Sequence, residues 1–513
     1  MSSPLQPSGP PTIATDTVAD DEGRYLALQT RDARFDGRFF TGVTSTGIYC
    51  RPVCSVRTPR RENCRFFAMA AQAESAGFRP CLRCRPETSP QLGAWNGASS
   101  TVSRALTLIE AGALDGDGDV EALAERLGVG GRQLRRLFTQ HLGATPLGVA
   151  QTRRVLLAKQ LIHDTDLSMA QVAMAAGFGS IRRFNETFQS LYGRPPLALR
   201  RRKAPAQAGG DNDAVSLTLR YRPPYDWDGM LAFLAMRAIA GVETVRGDTY
   251  SRTIALGDDA GTLSVRPIGG DRLAVDVRFP RLSALPAILA RVRRVFDLSA
   301  DPVRIGEDLA QDPQLAPWIA ARPGLRVPGA WDGFELGVRA ILGQQITVPA
   351  AVRLAGELAA RHGQPLGPAW AMDGLTLTFP SAERLAVADL SHLRMPGARI
   401  RSLSAMAQAA VADPGLFGPA LTLDEAVARL RALPGIGEWT AQYIAMRQLR
   451  EPDAFPAADV ALMRALAGPD GARPNAAQLL ARAEAWRPWR AYAALHLWAS
   501  LADAPSPKAA DAA

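Results

Sequence analysis

Lysine is almost absent from this 513-residue chain: Lys159, Lys203 and Lys508 are the only three, and every other one of its 59 basic residues is arginine. Chemistry that needs an amine nucleophile, such as Schiff-base formation, is therefore left with three candidates. Cysteine is absent after Cys84; all five cysteines, at 50, 54, 64, 81 and 84, fall within 35 residues. That clustering argues against a disulfide framework, and the later absence excludes a cysteine-held iron–sulfur cluster from everything that follows. No apolar run approaches the roughly 18 residues that a membrane span needs. Residues 1–22 are polar and rich in Pro and Ser, with no basic stretch leading into an apolar one. They read as a disordered lead-in rather than a signal peptide, and the chain as cytoplasmic.

What is present points to several domains and a polyanionic partner. At about 100–200 residues per domain, this length implies three or four units. The net charge is +9, but residues 24–205 hold +13 and residues 1–23 hold −4, which leaves 206–513 neutral. Basic charge thus sits in the N-terminal half. Pro/Gly/Ser-rich stretches at Thr88–Ser100, Lys203–Ala214 and Ala321–Gly329 divide the chain into four segments. In residues 217–285, alternating apolar stretches (LTLRY, TLSVRPI, RLAVDVRF) accompany one apolar helical pattern (WDGMLAFLAMRAI), an α+β mixture. Almost everything after Trp331 reads helical.

Cys50-x3-Cys54 and Cys81-x2-Cys84 are two close pairs with the spacing that lets four thiolates close a tetrahedral zinc site. Cys64 has no pair partner. From spacing alone a structural zinc is the plain reading. The surrounding text, FFTGVTSTGIYCRPVCSVR and ESAGFRPCLRCRP, closely resembles the zinc domain of the Ada family over residues 24–87. The resemblance implies that one Zn²⁺ is bound by all four cysteines, that Cys50 takes a methyl group irreversibly from a DNA phosphotriester, and that Arg57 and Arg79 face the DNA backbone. Four thiolates on one Zn²⁺ carry a net charge of −2; methylating one removes a negative charge and eases the approach to phosphates.

Residues 119–162 have helical apolar spacing, a Gly-containing turn at Leu127–Gly131 and an arginine-studded second helix. A second copy, LSMAQVAMAAGFGSIRRFNETFQSLYGRPPLALRRR, turns at Gly177–Gly179. The pair resembles the AraC-type DNA-binding domain. Second helices of such units enter the major groove, which makes Arg132, Gln133, Arg135, Arg136, Ser180, Arg182, Arg183 and Asn185 candidate DNA contacts.

Leu433-Pro434-Gly435-Ile436-Gly437 lies between the helical patterns DEAVARLRA and EWTAQYIAMRQL, and its glycines let backbone N–H groups approach a phosphate. Asp459, 22 residues past Gly437, opens another helical pattern, where an aspartate is ordinarily an N-cap. Together with RYRPPYDWDGMLAFLAMRAIAGVETV, FELGVRAILGQQITV and WRPWRAYAALHLW, this text resembles the AlkA family of helix-hairpin-helix DNA glycosylases from about Leu217 to Trp498. The resemblance implies that Asp459 is the catalytic carboxylate, that Trp439, Tyr443 and Trp498 surround a flipped base, and that Gly435, Ile436 and Gly437 hold DNA. Gln345 stands where a wedging leucine is expected; it can fill the gap but stacks less well.

The expected class is multidomain. After the lead-in come a small α+β zinc domain (23–88), an all-α double helix-turn-helix domain (100–203) and a linker (204–214). An α+β AlkA-type domain (215–328), an all-α helix-hairpin-helix glycosylase domain (329–502) and a tail (503–513) follow. The expected partner is double-stranded DNA, with RNA polymerase for the regulatory half, no membrane, and a monomeric state. The competing reading is a methylation-activated transcription factor whose glycosylase domain only clamps DNA. No lysine falls within the glycosylase domain, and the resemblance puts Trp439 where strand-cutting relatives carry one. Incubation with abasic DNA and borohydride should therefore leave the strand uncut and no adduct trapped; a covalent adduct would overturn the monofunctional expectation.

Overall fold

The computed structural model describes residues 21–90, 100–200, 214–418, 422–468 and 471–503. The lead-in up to residue 20, the linker up to 213, the tail from 504, and Lys203 and Lys508 lie outside the described residues. Contacts divide the chain into two compact units, one within Met1–Ile109 and Gly118–Leu156, the other within Glu110–Asp117 and Leu157–Ala513. Among the described residues no helix is long and apolar enough to cross a membrane.

In the first unit, helix α1 (Asp21–Thr30) precedes a four-stranded sheet of order β3-β1-β2-β4, built from β1 (Phe40–Val43), β2 (Ile48–Cys50), β3 (Cys64–Phe67) and β4 (Arg79–Pro80). β1 pairs antiparallel with β2 and β3, and β2 runs parallel to β4. Phe40, Tyr49, Phe67 and Phe78 close its small aromatic core with Ala73 of α2 (Ala70–Ser75). Helix α3 (Ser100–Glu110) leads to the first helix-turn-helix, α4 (Val120–Arg126) and α5 (Gly131–Leu142). The Asp119 side chain caps α4 by accepting from Ala122 N–H. Leu134, Phe138 and Leu142, four apart, bury one face of α5. Helix α6 (Pro146–Asp164) follows. One carboxylate ties the cysteine-bearing sheet to it: Glu74 accepts from Tyr49 O–H at 2.9 Å and from Thr152 O–H of α6 at 2.6 Å.

The second helix-turn-helix, α7 (Met169–Ala175) and α8 (Ile181–Tyr192), belongs to the second unit. Ser168 and Gln171 form a capping box on α7, and the Ser180 side chain caps α8. Phe184, Phe188 and Tyr192 bury the inner face of α8.

Next comes a five-stranded antiparallel sheet of order β5-β9-β8-β7-β6: β5 (Val215–Arg220), β6 (Glu243–Arg246), β7 (Thr249–Leu256), β8 (Asp259–Pro267) and β9 (Arg272–Arg278). Helix α9 (Trp227–Met236) joins β5 to β6, and α10 (Leu285–Val295) follows β9. The sequence pattern marked β5, β8, β9 and α9 but not β6 or β7, whose polar residues turn out to be buried. Glu243, Arg252 and Glu335 are all buried: Arg252 donates to Glu335 at 2.7 Å, and Glu243 accepts from Tyr250 O–H at 2.7 Å and from Arg339. Glu335 and Arg339 belong to α13, so this network bolts the sheet to the helical domain.

That domain comprises α11 (Pro302–Leu309), α12 (Ala316–Ala321), α13 (Gly333–Leu342), α14 (Val348–His362), α15 (Ala382–Ala386), α16 (Gly397–Ala412), α17 (Leu423–Arg431), α18 (Glu438–Ile444), α19 (Val460–Ala465), α20 (Ala476–Ala483) and α21 (Arg490–Asp503). Two departures from the helical expectation matter. Residues 363–380 are irregular and bridge back to the sheet at Gly241 through Leu375. Residues Ala445–Leu449, read as a continuation of α18, form a turn of π-helix. Buried Asp297 anchors this region, accepting from Tyr492 O–H at 2.8 Å, from Val327 N–H at 3.3 Å and from Arg450. Asp297→Ala would take the carboxylate partner from half-buried Arg450 and buried Tyr492, so calorimetry should show a loss of about 3–5 kcal/mol; Asp373→Ala, which removes an exposed partner of Arg246, should leave the transition unchanged.

Candidate functional site

The chain's first site is its cysteine cluster. Strand β2 ends at Cys50, and the turn that follows returns Cys54; β4 delivers Cys81, with Cys84 one turn on. The four ligand atoms lie within 4.8 Å of one another, and all four residues are free of disulfides. Hydrogen bonds with Cys54, Cys81 and Cys84, and then burial, drive the Cys50 thiol far above its ordinary range, while bonds from the same group drive Cys81 far below. Sulfurs this close cannot hold separate charges without a cation among them, so the donor set fits one Zn²⁺.

The four sulfurs are not equivalent. Cys84 accepts from Arg51 N–H at 3.4 Å, Cys81 from Arg83 N–H at 3.3 Å, and Cys54 from Val56 N–H. Among the described residues no N–H group donates to Cys50. Buried Arg51 fixes the loop by donating to Asp36 at 2.8 Å, to Cys84 carbonyl at 3.1 Å and to Thr88 hydroxyl at 2.8 Å. Cys64 stands apart: its thiol donates to Arg60 carbonyl at 3.3 Å, and burial raises it. Arg57 is exposed, and Arg79 is half-buried on β4.

In the helix-turn-helix units, Arg132, Gln133, Arg135 and Arg136 project from the exposed face of α5, and Arg182, Arg183 and Asn185 from that of α8. Arg135 pairs with Glu121 at 2.8 Å and Arg182 with Glu186 at 2.7 Å. The Ser180 hydroxyl accepts from Arg183 N–H at 3.2 Å, so its oxygen is already engaged as a cap.

In the helical domain the hairpin between α17 and α18 depends on glycine. Gly435 has φ +79°, and a Cβ there would lie 2.0 Å from Ser402 Oγ, whereas a Cβ on Gly437 would meet nothing within 4 Å. Gly437 is exposed and Ile436 is buried beneath the turn. Gln344 donates to Gly435 carbonyl at 2.9 Å, tying the loop after α13 to the hairpin. Its neighbour Gln345 is exposed, with φ +58°.

Beyond the hairpin, Trp439 and Tyr443 stand one turn apart on α18, their rings stacked at 5.0 Å and 11°. Asp459 caps α19, with one oxygen accepting from Leu462 N–H at 3.0 Å and from the Trp498 indole at 3.2 Å. Its other oxygen accepts from the Trp439 indole at 2.7 Å. One carboxylate thus caps α19 and holds two indole N–H groups at once. The structure brings Asp459, Trp439, Tyr443 and Trp498 together; Gln345 is not bonded to them.

Three neighbours escaped the sequence reading: Phe233, Arg237 and Arg447. Arg447 lies over the rings of Tyr443 and Phe233 at 5.2 and 4.8 Å, and Arg237 lies 3.8 Å from Phe233. A faint signal existed in Arg237, the one cation in the apolar pattern that includes α9. Arg447 gave none, because the π-turn that aims it leaves no mark on helical periodicity.

Four family models match this chain: "Metal binding domain of Ada" over residues 23–87, "Helix-turn-helix domain" over 123–202, "AlkA N-terminal domain" over 216–332, and "HhH-GPD superfamily base excision DNA repair protein" over 338–491. A Mycobacterium tuberculosis protein described as "Probable bifunctional transcriptional activator/DNA repair enzyme AlkA" is 43% identical over 485 residues, covering 94% of this chain and 97% of that one. DNA-3-methyladenine glycosylase 2 of Escherichia coli is 37% identical over 55% of this chain and 96% of its own length. The bifunctional transcriptional activator/DNA repair enzyme Ada of the same species is 32% identical over 40% of this chain and 53% of its own. Fold and sites together define a DNA alkylation-repair protein that carries its own regulatory, DNA-binding half. Within that class, the chain belongs to the family of bifunctional transcriptional activator/DNA repair enzymes AlkA.

Metal analysis of the purified protein should find one zinc per chain. Cys81→Ser should lose it and Cys64→Ser should keep it; retention by the first variant would refute the four-cysteine ligand set.

Proposed function

We propose that the protein excises alkylated purines such as 3-methyladenine without cutting the strand, and that Cys50 irreversibly accepts methyl groups from DNA phosphotriesters. The observation that carries the first half is the double engagement of Asp459. Two indole N–H groups and a backbone N–H fix the carboxylate beside a stacked aromatic pair. The relative named as a 3-methyladenine glycosylase supports the substrate class.

A base alkylated at a ring nitrogen is cationic and leaves well, so no strong general acid is required. The C1′–N bond breaks, its electron pair departs with the purine, which becomes neutral, and positive charge develops on the sugar. Asp459 stabilises that charge while water adds at C1′ and gives up a proton. The aromatic faces of Trp439, Tyr443 and Trp498 bind the flipped cation.

For the second half, Zn²⁺ held by Cys50, Cys54, Cys81 and Cys84 supplies the charge that keeps sulfur deprotonated at neutral pH. N–H groups draw electron density from Cys54, Cys81 and Cys84 and leave Cys50 the most nucleophilic. Its sulfur attacks the methyl carbon; the S–C bond forms as the C–O bond breaks, and the electron pair stays on the phosphate oxygen. The protein loses one negative charge, which strengthens its hold on DNA. The helix-turn-helix units of a monomer then bind promoter DNA and recruit RNA polymerase.

One experiment tests both halves: methylated DNA is incubated with protein, released bases are measured, and the protein is weighed by mass spectrometry. Asp459→Asn should lose base release by about 10²–10³-fold yet still gain a methyl group; Cys50→Ala should release bases and gain none. Equal release by the Asn variant, or methyl uptake by the Ala variant, would sink the corresponding half.

A further inference from the structure

The base pocket has an unbalanced charge. Arg447 donates through Nη1 to the Tyr443 phenol oxygen at 2.6 Å, through Nε to Pro328 carbonyl at 2.7 Å and through Nη2 to Gly329 carbonyl at 3.3 Å. It is buried. Arg237 packs on the Phe233 ring, donates to Phe233 carbonyl at 3.3 Å, and faces the same phenol. Among the described residues neither arginine has a carboxylate within ion-pair distance. Arg339, the third cation facing Tyr443, is answered by Glu243 and Glu335. Among the described residues Asp459, joined to this wall through Trp439, forms no ion pair with either guanidinium.

A pocket that receives a cationic purine should not present net positive charge, and a buried guanidinium without a counter-ion is costly. A guanidinium can only donate. The phenol oxygen between the two arginines is therefore offered protons from both sides, and among the described residues nothing accepts its own. We propose that Tyr443 ionises more readily than the chain's other tyrosines, and that its phenolate is a second anion that balances Arg237 and Arg447 and selects cationic over neutral bases. The inference rests on the glycosylase reading. Its proton passes to solvent, and the ring presented to the base becomes electron-rich, which strengthens cation–π attraction. Burial alone would raise the pKa of this phenol, yet Arg447, Arg237 and the bond from Arg447 hold it below the ordinary tyrosine range.

The sign of the pH dependence follows. Below that pKa the phenol is neutral and the net positive wall repels a cation; above it the wall is balanced and the electron-rich ring holds one. Two measurements on the full-length protein test the idea. In an ultraviolet pH titration, one of the eight tyrosines should ionise ahead of the rest. Tyr443→Phe should remove that early component, and Arg447→Met, which keeps the ring, should return it to the ordinary range. Separately, the ratio of 3-methyladenine to hypoxanthine release should rise roughly 2- to 30-fold as that tyrosine ionises and stay flat in Tyr443→Phe. No early tyrosine, or an early component that survives Tyr443→Phe, overturns the proposal. Release of neither base, with the early tyrosine present, would instead overturn the glycosylase reading.

Discussion

The catalytic half depends on a buried row of alternating charges. Glu243, Arg252, Glu335 and Arg339 link β6 and β7 to α13; the first three are buried, Arg339 is half-buried, and none of the buried three could be left alone at that depth. Two of the segments around the candidate site are tied to this row or to the helix that carries it. Arg339 also donates to Arg237 carbonyl at 3.1 Å, at the end of α9, which sets one wall. At the other end of α13, Gln344 reaches the hairpin. The sheet thus helps to position the candidate site from a distance.

Local chemistry made much of the site legible in sequence. The cysteine pairs, the glycines of the hairpin, and Asp459 at the head of a helix each have a spacing that serves one physical purpose. The AlkA-type sheet was half legible: β5, β8 and β9 alternate cleanly, whereas β7 carries Ser251, Arg252 and Thr253, whose burial becomes intelligible only with Glu335 supplied from far along the chain. Arg447 was out of reach for a different reason. A single π-turn rotates the following side chains relative to an α-helix, and no pattern in AMRQL announces it. The structure also answered a question that sequence posed as a choice, since the Asp459 carboxylate has enough lone pairs to cap α19 and hold two indoles at once.

The division of the chain into compact units falls within α6, between the two helix-turn-helix motifs, and not where composition changes. Each motif is thereby associated with a different chemistry, the first with the zinc cluster and the second with the glycosylase half. A basic complement made almost entirely of arginine suits both. Guanidinium is always charged and forks its bonds, so it serves on the exposed faces of α5 and α8 and, equally, in the buried bonds of Arg51, Arg326 and Arg447 to backbone carbonyls.

The bond pair at Glu74 has a mechanical consequence. Tyr49 immediately precedes Cys50, Thr152 lies on α6, and both oxygens of the intervening carboxylate are taken, so the side chain has no spare rotamer with which to absorb motion. The cysteine strand is thereby tied to α6, the helix that follows the first helix-turn-helix in the same compact unit. On a duplex held by both the zinc domain and that motif, the helical pitch of the DNA, rather than any linker length, would set the distance at which both can be satisfied.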